Sequence, residues 1–307
     1  MFQSIQMIVW PLVLATSVLA AEPAAVNVLD HAHSIINGDL SVVDYQGVRL
    51  LIASAPQGVA IQSSMDLLHH QRLINPYTQI VSMVTALHPS PTEAYNMGLG
   101  GGALSHFHLA QYPKSRVDSV ELDSSVVQLA KKDFFVIDPR HAILEGDGFE
   151  TLALQKKKYD IIWMDQYTPK EGPKATMSAQ YLQILRDHLK PDGILIVHLG
   201  RAKSSKTFSE TVRNYRSGFS HTIRIEGPAP SQAGFDPAPA LNAVSYDKKP
   251  HKEAGVNLPE HVVAVSNNGA LTCSRFWETA QKWTKEKLID IQWPEQSHAS
   301  SCEDLTQ

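Results

Sequence analysis

The sequence predicts an α/β protein in which a mainly parallel sheet, covered by helices on both faces, follows a small β-rich unit. Three observations carry this. From residue 94 onward short apolar runs alternate with helix-like segments, the pattern of parallel strands under covering helices. One alternation, residues 94–123 (AYNMGLGGGALSHFHLAQYPKSRVDSVELD), places a run of glycines between a strand and a helix. Upstream, Asn37-Gly38 and Gln46-Gly47 punctuate the apolar runs 40–45 and 48–53 as hairpin turns do.

The 307 residues, 43% hydrophobic, suffice for one large core with a small appended unit, and a net charge of −4 without a basic stripe argues against nucleic acid as a partner. Residues 1–21 read as a signal peptide: the apolar run 7–20 (MIVWPLVLATSVLA) is too short for a comfortable membrane span, and Val18-Leu19-Ala20 precedes Ala21 as a cleavage site would. No lysine or arginine precedes that run, so a buried first helix or an uncleaved anchor is the alternative. Export, to a periplasmic or extracellular location, is the expectation, with the cytoplasm as the location if the segment is not a signal. Cys273 and Cys302, the two cysteines, would form one disulfide in an oxidising compartment or remain unrelated thiols.

Residues 26–91 make the small β-rich domain and a linking helix. Gln62-Ser63 ends a short apolar run; Pro76 opens a helix with Ile80, Val81, Val84 and Leu87 on one face, and Pro89 and Pro91 stop it. Residues 92–270 make the main domain. After the glycine turn come strands at 117–122, 141–144, 159–164, 193–199, 221–225 and 261–266, with helices such as 124–135 and 178–189 between them. Proline and glycine are dense from 227 to 259, a long loop able to cover a site. Residues 271–307 form a C-terminal helix and an irregular tail carrying Trp277, Trp283 and Trp293.

Chemistry concentrates at the carboxyl ends of the strands, where open α/β sheets bind ligands. Gly98, Gly100 and Gly102 follow a G-x-G-x-G spacing, which lets backbone approach a ligand at a helix N-terminus, and Glu121 follows about twenty residues later, where it can hold a ribose diol. That arrangement points to an adenosine ligand with little phosphate. Asp147-Gly148 and Asp165 end the next strands; singly each is a helix cap more often than a ligand contact, but together they describe a site. His31 with His33, and His69 with His70, lack metal-ligand spacing and read as surface or capping residues, so no metal is expected. His198 lies near the end of a strand within reach of that site, although a hydrogen-bonded core histidine is the more ordinary reading.

The ordered set MGLGGG, VELD, EGDGFE, YDIIWMDQYTP, GP and LKPDGIL, preceded by Gln62 and a helix carrying Tyr77, resembles the spermidine synthase (polyamine aminopropyltransferase) family over roughly residues 40–225. The resemblance implies a methyltransferase-like (Rossmann-like) sheet of seven strands behind a small β domain, S-adenosylmethionine or its decarboxylated form as co-substrate, and a small amine or polyamine as acceptor. It also implies dimers or tetramers. By that resemblance Gly98, Gly100, Gly101 and Gly102 shape the donor turn, Gln62 holds the donor's tail, Glu121 the ribose, and Asp147 and Gly148 the adenine. Asp165 matches the aspartate that takes or orients the amine's proton, and Tyr77, Tyr167 and Thr168 stand on the acceptor side.

Departures from the family pattern are as informative. Gly101 replaces an aspartate within the glycine turn, Thr168 replaces a second aspartate of the gate loop, and Thr78-Gln79 stands where an acidic residue follows the tyrosine. An aspartate beside the tail suits a decarboxylated donor bearing only an ammonium; a glycine N–H suits a carboxylate. Three readings therefore stand: aminopropyl transfer, methyl transfer from intact S-adenosylmethionine, and a binding paralogue without turnover.

Overall fold

A computed structural model describes residues 25–56, 58–166, 178–200, 206–227, 237–245, 261–267, 269–289 and 301–305. The expectations for the segment 1–21, for Tyr167 and Thr168, for Trp293 and for most of the 227–259 loop lie outside the described residues.

The N-terminal unit is an antiparallel meander of β1 (Asn27–Ser34), β2 (Gly38–Tyr45), β3 (Val48–Ala55) and β4 (Gly58–Asp66) in the order β1-β2-β3-β4. Gln46 and Gly47 both take positive φ, 50° and 79°, as a two-residue hairpin turn requires. β4 runs through Gln62-Ser63 to Asp66, so the apolar run expected to end there continues as strand. Alternation then buries both faces of the meander. Leu40, Val42, Leu51 and Ala53 pack on Val126, Leu129 and Ala130 of α3 (Ser124–Asp133), while Val43, Tyr45, Leu50 and Ile52 pack on Ala240 and Leu241 of α7 (Ala238–Ala243).

The linking helix α1 (Pro76–Thr85) has proline at its first turn, where no N–H is missed, and leads into β5 (Glu93–Met97), α2 (Ala103–Gln111) and β6 (Arg116–Glu121). β7 (His141–Glu145), α4 (Gly148–Ala153), β8 (Tyr159–Met164), α5 (Ala179–His188), β9 (Leu189–Gly200), α6 (Lys206–Gly218), β10 (His221–Glu226), β11 (His261–Ser266), α8 (Cys273–Lys285) and β12 (Cys302–Asp304) follow. The sheet order is β12-β10-β11-β9-β8-β5-β6-β7.

Among the described residues this sheet has eight strands, not the seven expected, and β11 and β12 run against the rest. The extra strand comes from the tail read as irregular. Cys302 of β12 is disulfide-bonded to Cys273 at the start of α8, with Cα atoms 5.7 Å apart, and that bond fixes a three-residue strand on the edge formed by β10. The alternative of two unrelated thiols is thereby corrected.

The central strands are buried on both faces. Ile161 and Trp163 of β8 with Ile194 and Ile196 of β9 face α1, α2 and α8; Ile162 and Met164 with Leu195 and Val197 face α4, α5 and α6. Trp163 is 2% exposed and its indole N–H donates to Thr85 Oγ1 at 2.9 Å, which fixes the end of α1 against the sheet. No described helix is long and apolar enough to cross a membrane.

Candidate active site

The glycine turn between β5 and α2 is shaped by contacts that leave no room for side chains. Gly98, at φ 100°, donates its N–H to Val120 O at 2.9 Å, and a Cβ on it would run into the backbone carbonyl of Asp165. The turn and the end of β8 are thus pressed together, and Asp165 N–H closes the contact by donating to Met97 O at 2.9 Å. At Gly101 the constraint is lateral: a Cβ there would fall 2.6 Å from Cδ1 of Phe134 and 2.9 Å from Ser63 Oγ. Phe134 is fully buried, so an aspartate at 101 would require the ring to leave its place.

Glu121, at the end of β6, organises this turn. Its Oε2 accepts from Leu99 N–H at 2.9 Å and its Oε1 from Asp123 N–H at 3.0 Å. Burial pushes its carboxyl above the ordinary range, and hydrogen bonds from the Leu99, Asp123 and Gly100 amides only partly offset this. A carboxylate has about four lone-pair sites, so both oxygens keep acceptor capacity after these bonds.

Asp147 caps α4, its Oδ1 accepting from Phe149 and Glu150 N–H, both at 2.9 Å. Gly148 is buried beside it and accepts the Tyr95 hydroxyl at 2.8 Å; a Cβ there would meet the side chain of Gln166 and that of Met97. Gln62 reaches the turn from the meander. Its Nε2 donates to Asn37 Oδ1 at 3.1 Å, while its backbone carbonyl oxygen lies 3.3 Å from where a Cβ of Gly100 would stand. Asn37 Nδ2 in turn donates to Asp123 Oδ2 at 2.6 Å, Ser34 Oγ donates to the same oxygen, and Asp123 Oδ1 caps α3 through Ser125 N–H at 3.0 Å. This buried network ties the meander to α3 and, through Gln62, to the glycine turn. Ser34, Asn37 and Asp123 were missed from sequence because their partners lie 86 and 89 residues away.

Asp165 stands just beyond the end of β8, between α1 and β9. Tyr77 O–H, from the first turn of α1, donates to Oδ2 at 3.0 Å, and His198 Nδ1, from β9, lies 2.8 Å from Oδ1. The Tyr77 and His198 rings stack with centroids 4.0 Å apart and planes 3° from parallel. Since a carboxylate only accepts, the histidine donates here. His198 is 7% exposed and therefore nearly buried, as the core reading required, yet it also belongs to the site. The signal was available: β8 and β9 pair in parallel with Met164 opposite Val197, which sets the next residues, Asp165 and His198, side by side. Among the described residues no lysine or arginine pairs with Glu121, Asp147 or Asp165.

The fold thus brings together the glycine turn, Gln62, Glu121, Asp165 and Tyr77, with Asp147 and Gly148 at the neighbouring strand end. The family model for a spermine/spermidine synthase domain matches residues 76–225. A polyamine aminopropyltransferase from Vibrio vulnificus is 26% identical over 234 residues, 74% of this chain and 77% of that protein. Putrescine N-methyltransferase 2 from Nicotiana attenuata is 29% identical over 160 residues, 50% of this chain and 43% of that one. Among solved structures, a probable spermidine synthase from Corynebacterium glutamicum superimposes with a TM-score of 0.60 at 15% identity, covering 87% of this chain and 95% of that one, a likeness of fold.

Proposed function

Since the chain belongs to the spermidine synthase (polyamine aminopropyltransferase) family, we propose that it alkylates an amine with an S-adenosylmethionine-type sulfonium donor, aminopropyl transfer to a polyamine being the family default. The observation that carries this reading is Asp165: a carboxylate against the glycine turn, oriented by Tyr77 and His198 and paired with no lysine or arginine among the described residues. In this reading Gly98, Gly100, Gly101 and Gly102 line the donor, Glu121 offers its remaining acceptor capacity to the ribose hydroxyls, Asp147 and Gly148 meet the adenine, and Gln62 meets the tail. The amine's lone pair attacks the carbon next to sulfur, the N–C bond forms as the C–S bond breaks, and sulfur leaves as a neutral thioether. The nitrogen's surplus proton passes to Asp165. Catalysis of this kind consists of alignment and the handling of one proton.

Methyl transfer from intact S-adenosylmethionine is the second reading, and Gly101 favours it. Phe134 and Ser63 fill the space an aspartate would need, so the turn presents backbone rather than a carboxylate to the donor's tail. Titration calorimetry with S-adenosylmethionine and with its decarboxylated form, followed by mass analysis of the product formed with a diamine, separates the two. A gain of an aminopropyl or of a methyl group names the reaction. Binding of neither donor would overturn both and leave the non-catalytic paralogue.

We further propose that the mature chain begins near Ala21 in an oxidising compartment; the Cys273–Cys302 disulfide supports this. Mass analysis of the native N-terminus tests it. An intact Met1 chain in the cytoplasm would refute it.

A further inference from the structure

At the opposite end of β8 from Asp165, the pairing with β9 is irregular. Tyr159 stands opposite Leu189 and Ile161 opposite Ile194, so Lys190, Pro191, Asp192 and Gly193 bulge out around Asp160. The two oxygens of Asp160 face different groups. Oδ2 accepts Thr92 N–H at 2.8 Å, Thr92 O–H at 3.0 Å, Glu93 N–H at 2.9 Å and Lys190 Nζ at 2.8 Å. Oδ1 faces His88, the third residue beyond α1. His88 is 4% exposed, and neither of its ring nitrogens has a hydrogen-bond partner. Its Nε2 lies 3.6 Å from Asp160 Oδ1 and 3.6 Å from Asp192 Oδ2, and the three ligand atoms lie within 4.8 Å of one another.

These separations are too long for hydrogen bonds. They are close to the distance of about 3.4 Å between two N or O ligands on a tetrahedral ion with bonds near 2.1 Å. The imidazole is buried and aimed between two carboxylates, and Asp160, locked by donors on its far oxygen, has the hydrogen-bonded support usual for a ligating carboxylate. Asp192 is 56% exposed on its side chain, so a fourth position opens to water.

We propose that His88, Asp160 and Asp192 bind one first-row divalent cation of the zinc class. One imidazole and two carboxylates suit such an ion better than magnesium or calcium, which prefer all-oxygen shells. With the histidine neutral, two carboxylates and Lys190 leave a net negative charge for the cation to offset. The ion is structural: it joins the segment after α1 to the amino ends of β8 and β9. Asp160 is five residues from Asp165 along an extended strand, about 16 Å, so the site is separate from the carboxyl-end chemistry.

The full-length chain, stripped with chelator, is titrated with Zn²⁺ by calorimetry and with Co²⁺ by visible absorption, which reports tetrahedral coordination. Wild type should take one tight equivalent and gain several degrees in Tm. His88→Ala should lose that equivalent, and Asp192→Asn, altered at a half-exposed position that folding tolerates, should bind at least tenfold more weakly without the gain in Tm. Equal stoichiometry and affinity in wild type and Asp192→Asn would overturn the proposal, as would no tight equivalent and an unchanged Tm in wild type.

Discussion

Toward the amino ends of β5, β6 and β8 carboxylates are matched by lysines, whereas at the carboxyl ends of β6, β7 and β8 they are matched by backbone amides, a tyrosine and a histidine. Lys190 Nζ lies 2.8 Å from Asp160 Oδ2, and Lys157 Nζ lies 2.7 Å from Glu93 Oε2 and 2.8 Å from Asp118 Oδ2. Glu121 instead holds the N–H groups of Leu99 in the glycine turn and of Asp123, Asp147 holds those of the first turn of α4, and Asp165 holds Tyr77 and His198. The same residue type serves two ends. At the amino ends lysines offset the carboxylates in part; at the carboxyl ends no lysine or arginine among the described residues does so, and the negative potential there is left for a cationic guest, and both a sulfonium and a protonated amine are cations.

If this contrast holds, the largest effect of any single change on stability comes from the amino end. Asp160→Ala strips Lys190, Thr92 and Glu93 of their common acceptor, and breaking a nearly buried pair of this kind costs about 3–5 kcal/mol. Urea unfolding at neutral pH measures it, and donor affinity of the folded fraction should not change. Burial alone would raise the Asp160 carboxyl, but the bonds from Lys190, Thr92 and Glu93 outweigh it and hold the group below 3.8. Its stabilisation is therefore present above that value and is lost as pH falls through the lower, folded-state value. A mutant whose deficit persists undiminished after acid titration of the Asp160 carboxylate is complete would contradict the assignment.

At the carboxyl end the order of effects reverses. Asp165→Asn preserves shape and donor affinity but cannot take the amine's proton, so turnover should fall by roughly a hundredfold or more with Tm nearly unchanged. Single-turnover rate, donor affinity and Tm are read on one preparation. If the mutant instead loses stability and keeps its turnover, the two ends do the same structural work and the contrast fails.

How much of this was legible beforehand follows from the range of each interaction. The sheet, the meander and the glycine turn are periodic or local features: the sequence predicts a strand at 261–266 and the structure has one, and the helix predicted at 124–135 ends at Asp133, two residues earlier. Glu121, Asp147 and Asp165 were legible because strand ends are legible. Asp147 proved to be a cap at least, the ordinary reading it was given. What stayed hidden depends on distant segments: the Ser34–Asn37–Asp123 network, the edge strand β12, and the His88, Asp160 and Asp192 cluster, whose members stand in three separate segments. His198 falls between the two cases, since strand register alone sets it beside Asp165.

A smaller effect sharpens the carboxyl-end side. Glu121→Gln replaces one acceptor oxygen by an amide that meets the N–H of Leu99 or of Asp123, and it removes the charge on the bonds proposed to the ribose. Donor binding should weaken by about 1.5–3 kcal/mol. In wild type, since burial raises the Glu121 carboxyl above 4.5, affinity should begin to fall at a pH above the ordinary carboxylate range, as the group gains a proton and loses acceptor capacity. Calorimetry across pH checks both. A pH-independent affinity in wild type would remove Glu121 from donor binding.

The smallest effect asks why the carboxyl end lacks an acid at residue 101. A Cβ on Gly101 would lie 2.6 and 2.9 Å from Phe134 ring carbons, and the ring is fully buried, so Gly101→Ala should cost about 1–3 kcal/mol of stability. If the ring is the obstacle, Phe134→Leu opens the space, and Gly101→Ala made in that background should cost less than half as much; a double-mutant cycle reads the coupling directly. Additive costs would show that the glycine answers to something other than Phe134. With the space open, Gly101→Asp should shift preference toward the decarboxylated donor, because a carboxylate beside the tail attracts its ammonium and repels the carboxylate of the intact one. A double variant that folds, binds donor and shows no shift would mean that residue 101 does not face the tail, and the argument for methyl transfer from that glycine would fall with it.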